Sequence, residues 1–190
     1  MLAARNNHID CMEILVQFGA NINVTFRDTG ETAFQWALHS RRTNVVEALL
    51  ELGVNTNTQN KYGITPLMHA LFWGMEPIFQ KLLCKSTDID VSEIQGRTAL
   101  HFASMYGRQN MLKSLIEAGA NVNAIDYYGL TPLMTAAVFN KVESTELLIC
   151  YGGAELDLTA GNQIIQCSSP IGISKVVQHC TLQLKGEILQ

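Results

Sequence analysis

Gly96-Arg97-Thr98-Ala99-Leu100-His101-Phe102-Ala103-Ser104-Met105-Tyr106-Gly107 is the stretch whose reading decides the fold. Thr98 suits a helix N-cap, because its hydroxyl can accept from an otherwise unpaired N–H of the first turn. Gly107 suits the left-handed position that ends a helix. Beyond it, Met111, Leu112, Leu115 and Ile116 recur at helical spacing, and Gly119-Ala120-Asn121-Val122-Asn123 closes the unit. The same grammar lies to either side. Gly30, Gly63, Gly96 and Gly129 stand 33 residues apart, each followed two residues later by Thr32, Thr65, Thr98 or Thr131. A fixed period of this length marks a tandem array in which each unit buries its apolar face against the next.

Laid over one another, the copies agree piece by piece. Pro66 and Pro132 follow their threonines at the first helical position, where the missing N–H is no loss. Small residues at Ala37, Ala70, Ala103 and Ala136 predict close approach of the first helix to its neighbour. Gly74 and Gly107 suit the left-handed C-cap, Asn7 and Asn140 are tolerable there, and Arg41 is expected to be strained in that slot. Apolar residues of the second helices, Val45, Val46, Leu49 and Leu50 in one copy and Ile78, Phe79, Leu82 and Leu83 in the next, predict the inter-repeat core. In the fifth copy Ser144 and Thr145 replace the pair Met111 and Leu112, which predicts weaker packing.

Thr65-Pro66-Leu67-Met68, Thr131-Pro132-Leu133-Met134, Thr98-Ala99-Leu100-His101 and Thr32-Ala33-Phe34-Gln35 resemble the Thr-Pro-Leu-His core of the ankyrin repeat. The unit ends Gly19-Ala20-Asn21-Ile22-Asn23 and Gly119-Ala120-Asn121-Val122-Asn123 resemble that family's Gly-Ala-Asp-Val-Asn signature. The resemblance implies an all-α repeat solenoid of stacked helix-turn-helix units joined by β-hairpin loops. One domain over residues 1–190 is expected, with repeats at about 1–25 (truncated), 26–58, 59–91, 92–124, 125–158 and a degenerate 159–190.

Both ends depart from the pattern. Met1-Leu2-Ala3-Ala4 aligns with Met134-Thr135-Ala136-Ala137, so the first repeat lacks its hairpin and Thr-Pro cap. The expectation is a fragment whose longer form carries further repeats upstream. At the other end Ile165-Gln166-Cys167-Ser168-Ser169, Gly172, Val176, Val177 and Cys180 follow the repeat's spacing loosely. An irregular tail is the alternative, since Thr181 to Leu184 alternates like a strand.

Composition narrows the function. The 190 residues are 47% hydrophobic and 16% charged, with 13 Lys plus Arg against 17 Asp plus Glu. A net charge of −4 without a basic stripe argues against direct binding of nucleic acid, which requires phosphate neutralisation. No apolar run is long enough to insert in a membrane. Cys11, Cys84, Cys150, Cys167 and Cys180 form an odd set without metal-type spacing, read as reduced structural thiols; Cys11, Cys84, Cys150 and Cys180 fall on second helices, where a thiol can act as a small hydrophobe. A cytoplasmic location follows, with a nuclear one also compatible. His8, His39, His69, His101 and His179 show no zinc-like pairing, and no phosphate loop or nucleophile elbow appears. Asp28, Glu31, Glu93 and Asp126 read as a solvated rim near the hairpin tips. Neither catalytic residues, nor a metal, nor a small-molecule cofactor is expected.

The resemblance further implies a partner protein bound on a concave face built from first-helix edges and hairpin tips. Register places His39, Phe72, Trp73, Met105, Tyr106, Val138 and Phe139 at the ends of first helices, and Tyr62, Tyr127 and Tyr128 at the tips. Large aromatic side chains are favoured anchors at interfaces. The competing reading is that the second residue of each pair leans onto the next hairpin and is partly core. A non-catalytic adaptor or scaffold is the function expected; the alternative is a targeting or regulatory segment of a larger enzyme, ubiquitin-ligase complex or channel. Asn123 resembles the hairpin asparagines that an asparaginyl hydroxylase modifies in ankyrin proteins, against an unmodified turn residue. Since neighbour contacts dominate stability in such arrays, amide hydrogen exchange should be slowest in the third and fourth repeats; fastest exchange there would contradict the array.

Overall fold

Residues 1–86 and 88–155 are described by a computed structural model. The degenerate repeat at 159–190, with Cys167, His179 and Cys180, lies outside the described residues. Ten helices form five pairs among the described residues: α1 Leu2–Arg5 with α2 Ile9–Gln17, α3 Ala33–His39 with α4 Thr43–Glu51, α5 Pro66–Trp73 with α6 Glu76–Leu83, α7 Ala99–Tyr106 with α8 Gln109–Glu117, and α9 Pro132–Val138 with α10 Val142–Cys150. Their contacts group into two units, Met1–Ile94 and Gln95–Gln190. In the first unit α3 packs on α1, α4 and α5; in the second α7 packs on α8 and α9, and α10 on α8 and α9.

The helices start where the threonines stand. Thr32, Thr65 and Thr131 accept through Oγ1 from the N–H of Gln35, Met68 and Met134 at 3.2, 3.2 and 3.3 Å. Gln35 reciprocates, its Oε1 accepting from the Thr32 N–H at 3.1 Å, which completes a capping box. First helices end in the left-handed region at Gly74 (φ 67°) and Gly107 (φ 62°). Asn7, Arg41 and Asn140 take the same conformation at φ 61°, 55° and 53°, so the strain expected at Arg41 is present. Ala37, Ala70, Ala103 and Ala136 are fully buried, as close helix approach requires. The core holds Phe34, Leu38, Leu49, Phe79 and Leu82 in the first unit, and Leu100, Leu112, Leu115 and Leu148 in the second.

The loops depart from the expectation in an instructive way. Paired β-structure is confined, among the described residues, to one bridge between Thr25 and Thr32, in the loop that carries one residue more than the later ones. Elsewhere side chains organise the turn. Asn60 Oδ1 accepts from the N–H groups of Tyr62 and Ile64 at 3.0 and 2.9 Å, and Asp126 Oδ1 from those of Tyr128 and Leu130 at 2.9 and 2.8 Å. The solvated-rim reading therefore holds only for exposed Asp28; Glu31, Glu93 and Asp126 are buried. Consecutive turns are joined backbone to backbone: Lys61 N–H donates to Thr29 C=O (3.0 Å), Ile94 N–H to Tyr62 C=O (3.0 Å) and Tyr127 N–H to Gln95 C=O (2.9 Å).

Two further expectations are corrected or refined. Cys11, Cys84 and Cys150 are free, yet all three are exposed and none fills the core. Ser144 and Thr145 are buried in α10; Thr145 Oγ1 donates to the Lys141 carbonyl at 2.9 Å, whereas Ser144 Oγ has no partner. The first repeat exposes Leu2, Ile14, Leu15 and Phe18, and beside them Met1, Leu2, Met12, Leu15 and Ile22 line an open apolar cavity of about 430 Å³.

Gly63 tests the turn-to-turn contact. It sits at φ 74°, and a Cβ there would lie 2.8 Å from Glu93 Cα, a backbone atom that cannot move aside alone. Gly53, at φ 75°, has nothing within 4 Å of its hypothetical Cβ. Gly53→Ala is expected to cost about 1–2 kcal/mol from the left-handed backbone alone. Gly63→Ala adds overpacking and should cost about 2–4 kcal/mol in all, compared by urea denaturation. Equal losses would show that the close approach carries no energetic weight.

Candidate partner-binding ledges

The two units place the expected docking residues differently. In the first unit His39 ends α3 and is exposed, Phe72 is 41% exposed near the end of α5, and Tyr62 is exposed on its turn. Trp73 is half-buried: it meets Phe72 edge-on at 4.7 Å between ring centroids, and its indole Nε1 is buried without an acceptor. In the second unit Met105 and Tyr106 are half-buried. Tyr106 lies 6.3 Å from the Phe102 ring, and burial raises its phenol pKa against the opposing pull of Arg97 and Arg108.

Trp73 and Tyr106 are thus partly covered, whereas Phe139 is exposed. There α9 stops one residue sooner than α5 or α7, making Phe139 the C-cap and leaving it 48% exposed beside exposed Val138. Tyr127 and Tyr128 stand clear of the turn at 78% and 67% exposure. Their backbone is already held by Gln95 and Asp126, so the rings are free to point outward.

Polar residues fix the first helices to the neighbouring turns. His101 Nδ1 accepts from the Thr98 N–H at 3.2 Å, which leaves the proton on Nε2 to be donated to the Leu130 carbonyl at 3.0 Å. Gln35 does the same work at its own position: its Nε2 donates to the carbonyls of Thr58 and Ile64 at 3.1 and 2.9 Å. Met68 and Met134 hold that register in the other copies and have no side-chain N–H to offer.

One cluster escaped the sequence reading. Glu31, 7% exposed, faces His39 Nδ1 at 3.6 Å and His69 Nε2 at 3.9 Å, both beyond hydrogen-bond range. The His39 ring stacks on His69 (5.8 Å) and on Trp73 (6.4 Å), and the Arg41 guanidinium lies 5.6 Å over Trp73. Periodicity places Glu31 one residue after a turn glycine, level with Arg97 of the fourth repeat, and that register says nothing of its depth. Arg97 instead lies 5.1 Å over Phe102. Among the described residues no group of His, Cys, Asp and Glu is arranged to hold a metal ion, and no helix is long and apolar enough to cross a membrane.

A family model described as "Ankyrin repeats (3 copies)" matches residues 1–93 and again 72–160. The fowlpox virus (strain NVSL) ankyrin repeat protein FPV031 is 34% identical over 94 residues, covering 49% of this chain and 28% of the viral protein. Human Rabankyrin-5 is 34% identical over 98 residues, 45% of this chain and 8% of that protein. Human SH3 and multiple ankyrin repeat domains protein 2 is 30% identical over 83 residues, 44% of this chain and 4% of that protein. The chain therefore spans less than a third of the length of each of these relatives.

His69 links the ledge to pH. Burial, and then the neighbouring His39, lowers its pKa from 6.5 to about 4, so the imidazole is neutral at pH 7. Between those two values the unfolded chain binds the proton and the folded chain does not; stability is full above about pH 6.5 and falls as the pH drops toward 4. The His69 contribution to that loss should reach about 2 kcal/mol between pH 7 and 5, measured by urea denaturation. His69→Gln should flatten the profile by that amount, and an unchanged slope would mean that the ring is not buried neutral.

Proposed function

The chain belongs to the ankyrin repeat family, and on that premise we propose that it is a non-catalytic adaptor or scaffold whose partner protein docks on the first-helix ends and turn tips. Ankyrin repeats are in general protein–protein interaction modules. The observation that carries the reading is where the large apolar side chains stay uncovered. Phe72 in the first unit and Val138 in the second are exposed at one register, Tyr62 and Tyr128 at another, with exposed Phe139 and Tyr127 beside them in the second unit, while other positions of the same first helices, such as Leu71 and Leu133, are buried. Scattered single exposures need no explanation; recurrence at one register does. Trp73 in the first unit and Met105 and Tyr106 in the second are half-buried beside these residues in the sequence, and His39 adds an exposed ring in the first unit.

The partner's contact is with protein side chains, with no small-molecule cofactor, no direct nucleic-acid contact and no membrane insertion. Free, exposed cysteines suit a reducing cytoplasmic or nuclear setting. A second reading draws on the small share of its relatives that the chain spans: the same docking segment would target or regulate a larger enzyme, ubiquitin-ligase complex or channel.

Affinity capture with the intact chain, followed by mass spectrometry, identifies the partner. Phe72→Ala, Tyr127→Ala and Phe139→Ala are then expected to weaken its binding about tenfold or more each, because exposed aromatic anchors contribute about 1.4 kcal/mol or more at an interface. Melting temperature should stay within a few degrees. Binding that survives all three substitutions would remove the ledges as the docking surface.

A further inference from the structure

The Glu31 carboxylate faces the stacked His39 and His69 rings and has no permanent cation of its own. Glu31 comes from the turn before α3, His39 from the end of α3, and His69 and Trp73 from one face of α5. Its carboxylate meets only the two imidazoles among the described residues, both outside hydrogen-bond range. Arg41 is the nearest guanidinium in this group, and it lies over the Trp73 ring instead of pairing with Glu31. Two further polar atoms of the same cluster, His69 Nε2 and Trp73 Nε1, are buried without a partner. A carboxyl group only 7% exposed, with no permanent cation beside it, is a less favourable arrangement than a paired one.

Such a group becomes favourable once a cation reaches it. The outer wall of the cluster is His39, whose side chain is 60% exposed and can swing aside, whereas His69 and Trp73 form a half-buried floor with their Nε2 and Nε1 atoms covered. The floor is aromatic, and the position of Arg41 shows that a guanidinium packs against it. The chain as a whole is acidic, with a net charge of −4. Carboxylate, aromatic shelf and acidic balance are complementary to one kind of occupant.

We infer that the partner inserts an arginine or lysine side chain between His39 and Trp73 to pair with Glu31, so that this ledge reads a basic segment of the partner protein. The inference rests on the docking reading above and adds the chemistry of what docks. The pair would be shielded from solvent by the stacked rings, where a charge-assisted hydrogen bond is stronger than at an open surface. The second unit carries Arg97 at the corresponding register, over Phe102, and so offers no such acidic site.

The test uses the full chain as bait for a random peptide display library, with Glu31→Gln as the parallel bait. Peptides selected on the wild type are expected to share one Arg or Lys position and to bind Glu31→Gln at least tenfold more weakly. Replacing the shared Arg by citrulline, or the shared Lys by norleucine, should produce the same loss on the unaltered protein, which keeps the test independent of how the variant folds. An empty selection, a selected set with no shared basic position, or equal binding to both baits overturns the inference. Peptides that ignore Glu31 but are lost on Phe72→Ala would overturn it while leaving the docking surface standing. Loss of the captured partner on none of the ledge substitutions, by contrast, sinks the docking reading itself.

Discussion

Peptide groups that bond from one turn to the next leave little room for variation between repeats. Lys61 to Thr29, Ile94 to Tyr62 and Tyr127 to Gln95 are backbone bonds, so each turn must arrive at the same height and in the same orientation as its predecessor. At Gly30, Gly63 and Gly96 the neighbouring turn comes within 2.9 Å of where a side chain would begin. The even spacing of those glycines follows from this contact. Within each unit the helices follow turns so joined, and Ala37 and Ala70 in the first and Ala103 and Ala136 in the second are all fully buried.

A lattice of this kind satisfies buried polar groups by repetition. Asn60 and Asp126 close their own turns, and Gln35 and His101 reach across to the next one. Glutamine and histidine share little in shape, but both pair an acceptor near the helix start with a donor aimed at the following loop. The few groups left without partners then stand out. Ser144 is one, a hydroxyl in a position that the fourth repeat fills with sulfur and carbon. His69 and Trp73 are two more, and they lie together beside Glu31. Isolated, such an exception weakens packing; gathered at an exposed ledge, the exceptions mark a place where an external group could complete the set.

Much of this was legible because repetition is a local property. Thr32, Thr65 and Thr131 cap helices wherever they occur, Pro66 and Pro132 follow them, and left-handed ends fall where Gly74, Gly107, Asn7, Asn140 and even Arg41 stand. The docking residues were less legible, since the pairs at the ends of first helices looked equivalent by register. Phe139 stays exposed because its helix ends early, while Trp73 and Tyr106 turn partly inward. Nor could register separate Asp28, which is solvated, from Glu31, Glu93 and Asp126, which are covered.

Spacing and residue type alone determined the repeat length, the helix starts and stops, and the apolar faces, because each depends on atoms within a few residues along the chain. Depth was decided only in three dimensions. Whether a carboxylate, an indole or a thiol meets water depends on which side chain of the adjoining repeat lies above it, and those neighbours are tens of residues away in the chain. Glu31 is buried by His69 of the next repeat, and Cys11, Cys84 and Cys150 are exposed although they belong to the helical half of their repeats. Burial is a property of the packed pair, and one member of a pair cannot disclose it.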